Sequence, residues 1–298
     1  MVIIISHHRF EMKHIIYIVS LLIVVMFGCK PPHTTTDNTL SVSIEPQKYF
    51  LEAIVGNKYT VNTAIPSGSN PESYDPSPSQ MVNIGKSKIF FKVGNLGFEN
   101  TWLNNISINN SDLKIVDCSA GIPIIMDDHG HAGHSHEGSD PHIWSSPSSA
   151  LVISKNMYNS IINLDPKHTD YYLERYKNLE KVILTTDSTI QSYLLEAPTK
   201  SFIIFHPALS YFADQYGLTQ YSIEVDGKNP TPQQMSHLIQ EAKKDNVKVI
   251  FVQEEYDQKN AEPIAKELGA EIVSINPLSY SWDEELIKIA KAIAQKHD

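Results

Sequence analysis

Between residues 148 and 192 the chain carries apolar side chains at helical spacing with a single break, and no other feature restricts its architecture as much. Leu151, Val152, Met157, Ile161 and Ile162 make one stripe, and after Asp165-Pro166 the period resumes through Tyr172, Tyr176, Leu179 and Ile183. A helical run of this length is unusual inside a small domain and reads as a rod between two lobes. The alternative is a set of helices wrapped over one sheet.

Both flanks alternate short strands with helices. On the N-terminal side the pattern predicts strands over residues 40–44, 60–65, 89–93 and 114–117. Helices are expected from Pro46 to the stop at Gly56-Asn57, over 81–85, and over 98–108. On the C-terminal side strands are expected over 201–205, 247–252 and 271–275. Helices are expected over 207–216 and 260–268, each ended by a glycine, and from the Thr231-Pro232 start; a last one carries Leu286, Ile289 and Ile293. This alternation predicts an α/β fold: two Rossmann-like lobes with parallel sheets, joined by one long backbone helix, with ligand held in the cleft at the strands' carboxyl ends. The boundaries are 40–147 for the first lobe, 148–192 for the linking segment and 193–298 for the second lobe.

The first 29 residues are of another kind. Lys13 and His14 precede a short apolar core ending at Gly28-Cys29, which has the form of an export signal too short for a comfortable membrane span. Met26-Phe27-Gly28-Cys29 resembles a lipobox, whose cysteine is lipidated and becomes the first mature residue. Residues 30–39 are polar and proline-bearing and read as a tether. Met12 is the more natural start of the signal.

Only Cys29 and Cys118 are present, which excludes a disulfide scaffold and a thiolate zinc cluster. Cys118 is expected to be a small buried apolar side chain. A formal net charge of -10, with no long basic run, argues against a nucleic-acid partner and suits a cation. The candidate chemistry lies in histidines and carboxylates. Residues 127–140 form an acidic loop with His129, His131, His134 and His136; His142 follows in the compact phrase Asp140-Pro141-His142-Ile143-Trp144. His206 directly follows an apolar strand, where an imidazole faces the cleft. The proline-shaped loop over residues 65–76 presents Glu72 or Asp75 to the cleft, and Asp283 opens the last helix, as a ligand or as a helix-start carboxylate. Glu72, His142, His206 and Asp283 form a set that Zn²⁺ tolerates in four-coordination; Mn²⁺ or Fe²⁺ would want more oxygen. Motifs of metalloproteases, serine hydrolases and phosphate-binding loops are absent, and Glu254-Glu255 is the strongest feature an enzyme reading has.

In this order and spacing, PSGSNPESYDPSPSQM from Pro66, DPHIWSSP from Asp140, HPALSYFADQYGL from His206, TPQQMSHLI from Thr231 and FVQEEYDQKNAEPIAKELG from Phe251 resemble the zinc and manganese substrate-binding lipoproteins of bacterial ABC importers. The resemblance runs from Leu40 to Ile293. It implies His142 and His206 as ligands, no catalytic role, and a histidine-rich loop, which would collect ions at low affinity or sense their abundance, or serve as a spacer. The implied partners are an ABC permease with its cytoplasmic ATPase, and a membrane through the lipid anchor; the protein is expected to be a monomer, periplasmic or on the cell surface. The family's first ligand is usually a histidine where this chain has Glu72. Either Glu72 ligates in its place, or water completes a smaller protein set. The C-terminal acidic ligand of manganese-type members has its nearest match in Asp283. The carboxylate at position 72 leans toward manganese or iron, and the clustered histidines toward zinc, which is the expected cargo. A surface adhesin or zinc buffer without a permease is the alternative from another class.

Overall fold

The computed structural model describes residues 38–126, 138–225 and 227–295. Cys29 and the loop histidines His129, His131, His134 and His136 lie outside the described residues.

The first lobe runs β1 (Thr39–Val42), α1 (Glu45–Val55), β2 (Thr60–Thr63), α2 (Pro78–Gly85), β3 (Ile89–Lys92), α3 (Asn104–Asn109) and β4 (Lys114–Asp117). The chain then passes through α4 (Pro147–Leu164) and α5 (Thr169–Leu195). The second lobe runs β5 (Ser201–Ile204), α6 (Ser210–Tyr216), β6 (Thr219–Ser222), α7 (Pro232–Lys244), β7 (Val249–Gln253), α8 (Glu262–Leu268), β8 (Glu271–Ile275) and α9 (Trp282–Ala294). Both sheets are wholly parallel, in the orders β2-β1-β3-β4 and β6-β5-β7-β8. In each, the order reverses between the two middle strands. Helices leaving those strands go to opposite faces, and the gap between them opens a crevice at the carboxyl ends.

Local chemistry sets the boundaries. Ser77 and Gln80 form a reciprocal capping box at the start of α2, and Thr231 and Gln234 form another at α7, each with proline in the first turn. Gly217 and Gly269 close α6 and α8 in the left-handed conformation, at φ 62° and 61°. The helix around residue 100 starts as a π turn over Glu99–Leu103, which swings Glu99 inward beneath β3.

The two lobes are joined by a long helix within the 147–195 segment. Asp165 and Pro166 fold α5 back along α4: the Asp165 carboxylate accepts from Tyr172 and pairs with His168, and Tyr158 stacks on Tyr176 across the hairpin at 4.7 Å. At 27 residues, α5 packs on α1 of the first lobe and α9 of the second. One continuous core follows it. Leu40, Val42 and Phe91 of the first sheet belong to the same buried cluster as Phe202, Phe251 and Ile275 of the second. The opposite face of the second sheet, through Ile203, Phe205, Ile250 and Val252, builds a separate core under α7 and α8. Alternate residues of β5 and β7 thus serve different layers. Cys118 is a free, fully buried thiol in the first core, and burial pushes its pKa up.

Strand β6 is absent from the sequence expectations. Its Thr-Gln-Tyr-Ser edge has no buried residue and no apolar run to announce it.

Candidate metal centre

Three loops at the sheets' carboxyl ends converge. The first follows β2. Within it Asn70 turns the chain, its Oδ1 accepting the Glu72 backbone N–H at 2.9 Å. Gly97, beyond β3, lies against this turn so closely that an added Cβ would stand 2.4 Å from the Glu72 carbonyl oxygen. The loop carrying Gly97 is in turn fixed by Glu99. This buried carboxylate accepts from the Ser43 hydroxyl and from the backbone N–H groups of Val93 (2.6 Å) and Gly94 (2.8 Å). Burial raises its pKa, more than those donors lower it.

The second loop presents His142. Asp140 Oδ1 accepts the His142 backbone N–H at 2.7 Å and faces its ring Nδ1 at 2.9 Å. Tyr211 of α6 donates to the Asp140 carbonyl, and Trp144 donates to the Pro277 carbonyl beyond β8, so the loop is fastened to the second lobe. The third loop carries His206, one residue past Phe205 at the end of β5. Gln253, the buried last residue of β7, donates to the His206 carbonyl at 2.6 Å and accepts its N–H at 3.3 Å. Glu224 Oε2 lies 3.0 Å from His206 Nδ1.

The ring hydrogen bonds decide what each imidazole offers. Both Nδ1 atoms are taken by carboxylates, so both Nε2 atoms point into the cleft, where they lie 3.3 Å apart. Glu72 Oε1 completes the triangle at 3.5 Å from His206 Nε2 and 3.7 Å from His142 Nε2. Ligands about 2.0–2.1 Å from a tetrahedral Zn²⁺ stand roughly 3.3–3.4 Å from one another. The triangle therefore has the dimensions of one face of such a tetrahedron, slightly expanded on the carboxylate side. Among the described residues, these three form the one group of histidine, cysteine and acidic side chains whose ligand atoms converge in this way.

The electrostatics are those of a cation site held by a proton. Burial works to lower the His206 pKa, but the hydrogen bonds to Glu224 and Glu72 and their charges outweigh it and push it up to about 10. Burial works to raise the Glu72 carboxyl, and the His206 bond with the fields of both histidines brings it below its usual range. Asp140 is likewise lowered: the field and hydrogen bonds of His142 overcome its burial.

Of the four residues expected in the set, the structure brings together Glu72, His142 and His206. Asp283 lies in the first turn of α9, where its carboxylate takes the Tyr49 hydroxyl; it is not in the converging group. Glu254 accepts from Asn276. Glu255 lies in the field of both histidines, though burial is the main cause that raises its pKa. Asp140, Glu224 and Gln253 were not singled out by sequence. Asp140 stood two residues ahead of a named histidine; Glu224 was hidden behind the unrecognised β6.

Residues 41–296 match the family described as ZnuA, zinc-uptake complex component A periplasmic. The chain is 31% identical over 252 residues to the high-affinity zinc uptake system protein ZnuA of Bacillus subtilis (strain 168), covering 80% of this chain and 78% of that one. Zinc-binding protein AdcA of Streptococcus pyogenes serotype M3 is 27% identical over 268 residues, covering 81% of this chain; the chain spans only 50% of AdcA. A crystal structure of ZnuA superposes with a TM-score of 0.79 at 32% identity, covering 86% of this chain and 97% of that one. Fold, converging site and sequence agree, and the chain belongs to the ZnuA family of zinc-uptake binding proteins, which carry their ligand without transforming it.

Proposed function

We propose that this protein captures Zn²⁺ outside the cytoplasm on Glu72, His142 and His206 and delivers it to an ABC permease driven by a cytoplasmic ATPase. The observation that carries the reading is the pair of Nε2 atoms 3.3 Å apart, each aimed by a carboxylate on the far side of its ring. Two neutral imidazoles and one carboxylate suit Zn²⁺, with water or a further acid in the fourth position. Asp283 would have to leave Tyr49 to serve there. Delivery to a permease draws its support from the zinc-uptake relatives. Lipidation at Cys29 would hold the protein at a membrane, and the loop histidines 129, 131, 134 and 136 would gather ions near the cleft.

A carrier of Mn²⁺ or Fe²⁺ is the second reading, favoured by the carboxylate where the family usually has histidine. Metal content and competitive titration of a soluble form beginning at Asn38 separate the two. One tight zinc per chain, weakened sharply by Glu72→Ala, is the expected result. Preference for manganese or iron would overturn the cargo, and tight zinc binding indifferent to Glu72→Ala would remove Glu72 from the ligand set.

A further inference from the structure

Glu72 is the least confined of the three converging residues. Its side chain is 39% exposed, against 5% for His142 and 12% for His206. Each imidazole is aimed by a carboxylate behind it. Among the described residues, the partners of the Glu72 carboxylate are the two histidines themselves. What places Glu72 is thus its backbone, and one side chain controls that. Asn70 accepts the Glu72 N–H through Oδ1, while its Nδ2 donates across the cleft to the Tyr256 hydroxyl at 3.1 Å. Tyr256, just past β7, lies parallel to the His206 ring at 5.9 Å with an interplanar angle of 23°, and packs on Phe205 at 4.8 Å. A single amide therefore connects the turn bearing one ligand in the first lobe to the ring lying over another in the second.

Resting on the assignment of Glu72, His142 and His206 as zinc ligands, we propose that Asn70 and Tyr256 form a cross-cleft clasp that positions Glu72 and sets how long the ion stays bound. The clasp touches no metal. It acts by holding Glu72 in register with His206, so its loss appears in release rather than capture. Gly97 supports it from the other side: the Glu72 carbonyl packs closely against a residue lacking Cβ, so retreat of the turn as a unit runs away from Gly97 and breaks the Asn70–Tyr256 bond.

Tyr256→Phe isolates the effect, because it removes the hydroxyl and keeps the ring on His206. Zinc release from the full-length chain into excess chelator is followed by stopped flow. A hydrogen bond's net contribution corresponds to release about 3- to 10-fold faster, with association unchanged. Asn70→Ala loses both bonds and should release at least as fast. The double variant should release no faster than Asn70→Ala alone, since the second change then has nothing left to break. A spectroscopic readout accompanies the kinetics: the visible bands of bound Co²⁺ should move in Tyr256→Phe toward those of Glu72→Ala. A wild type that holds zinc while Tyr256→Phe releases at the wild-type rate removes the clasp alone. Additive effects in the double variant also remove it, as they mark two independent structural roles. A wild type that takes up no zinc removes the ligand assignment and the clasp together.

Discussion

Zinc should enter this site by displacing a proton, and the geometry fixes how steeply binding depends on pH. In the metal-free protein His206 is held up to about 10 between Glu224 and Glu72. Its Nε2 points into the position a metal would take, so the proton there and the ion exclude each other. With a pKa of about 10, all but roughly 0.3% of His206 is protonated at pH 7.5, against about a tenth for an unperturbed histidine. The raised pKa stabilises the metal-free, protonated form, so affinity falls as pH falls at all values below about 10. Glu72 and Asp140 are lowered and already ionised near neutrality, so they add no proton to the exchange. Between pH 6.5 and 8.5 the affinity should rise about 100-fold, whereas an ordinary histidine would give only about twofold. Competition against a chelator of known proton linkage measures the affinity. Calorimetry at pH 7.5 in buffers of different ionisation enthalpy counts the released proton, which should be close to one. Glu224→Gln should reduce the count, because it removes the strongest of the contacts that hold the proton on His206. A wild-type count near zero, or an affinity flat over those two pH units, would refute the proton-for-metal exchange.

Three further changes probe the supports. Asp140→Ala frees the His142 ring from its Nδ1 partner and should weaken zinc binding about 10- to 100-fold by competitive titration, the range typical of lost outer-shell support. Gly97→Ala drives a methyl into the Glu72 carbonyl and should reproduce the affinity loss of Glu72→Ala, leaving the far-ultraviolet circular dichroism unchanged; wild-type affinity would show the turn to be compliant. Glu99→Ala leaves the Ser43 hydroxyl and the Val93 and Gly94 N–H groups without their buried acceptor, and should cost about 3 kcal/mol in denaturant unfolding.

The architecture was legible wherever burial writes a pattern into the sequence. Strands β4 and β8 were placed to the residue, and β5 and β7 nearly so, because isoleucine, valine and phenylalanine gather in each of them. The edge strand β6 is polar, and nothing in Thr-Gln-Tyr-Ser distinguishes it from a loop. That omission carried over to the site. Glu224 reaches His206 only because β5 and β6 run in parallel register, Ile204 opposite Ser222, a relation invisible without the strand. His142 and His206 could be named because each is placed by its immediate neighbours. Glu72 was reached through the proline-shaped loop that follows a strand, a weaker mark, because such a loop does not say which of its carboxylates faces the cleft. The clasp residues Asn70 and Tyr256 are 186 positions apart and left no sequence trace at all.

The distribution of these supports decides which part of the site can yield at least cost. The lobes share a continuous core and are pinned by two buried indoles: Trp144 donates to the Pro277 carbonyl, and Trp282 donates to the Trp144 carbonyl while packing on Phe50 of α1 at 5.0 Å. Exposing one such ring, some 150–250 Å² at about 25 cal/mol per Å², costs roughly 4–6 kcal/mol, and parting the lobes would expose both and break their hydrogen bonds. Displacing the Glu72 turn breaks one cross-cleft hydrogen bond and moves a side chain already 39% in water, at a net cost of about 1 kcal/mol before the metal bond itself. The histidines stay aimed in either case, because Glu224 and Gln253 sit at the ends of β6 and β7 and Asp140 is fastened by Tyr211 and by its own N–H on the Ile125 carbonyl. On the proposed assignment of the three ligands, exchange of the ion would therefore fall to Glu72, the one with no carboxylate behind it, while the lobes keep the two imidazoles 3.3 Å apart.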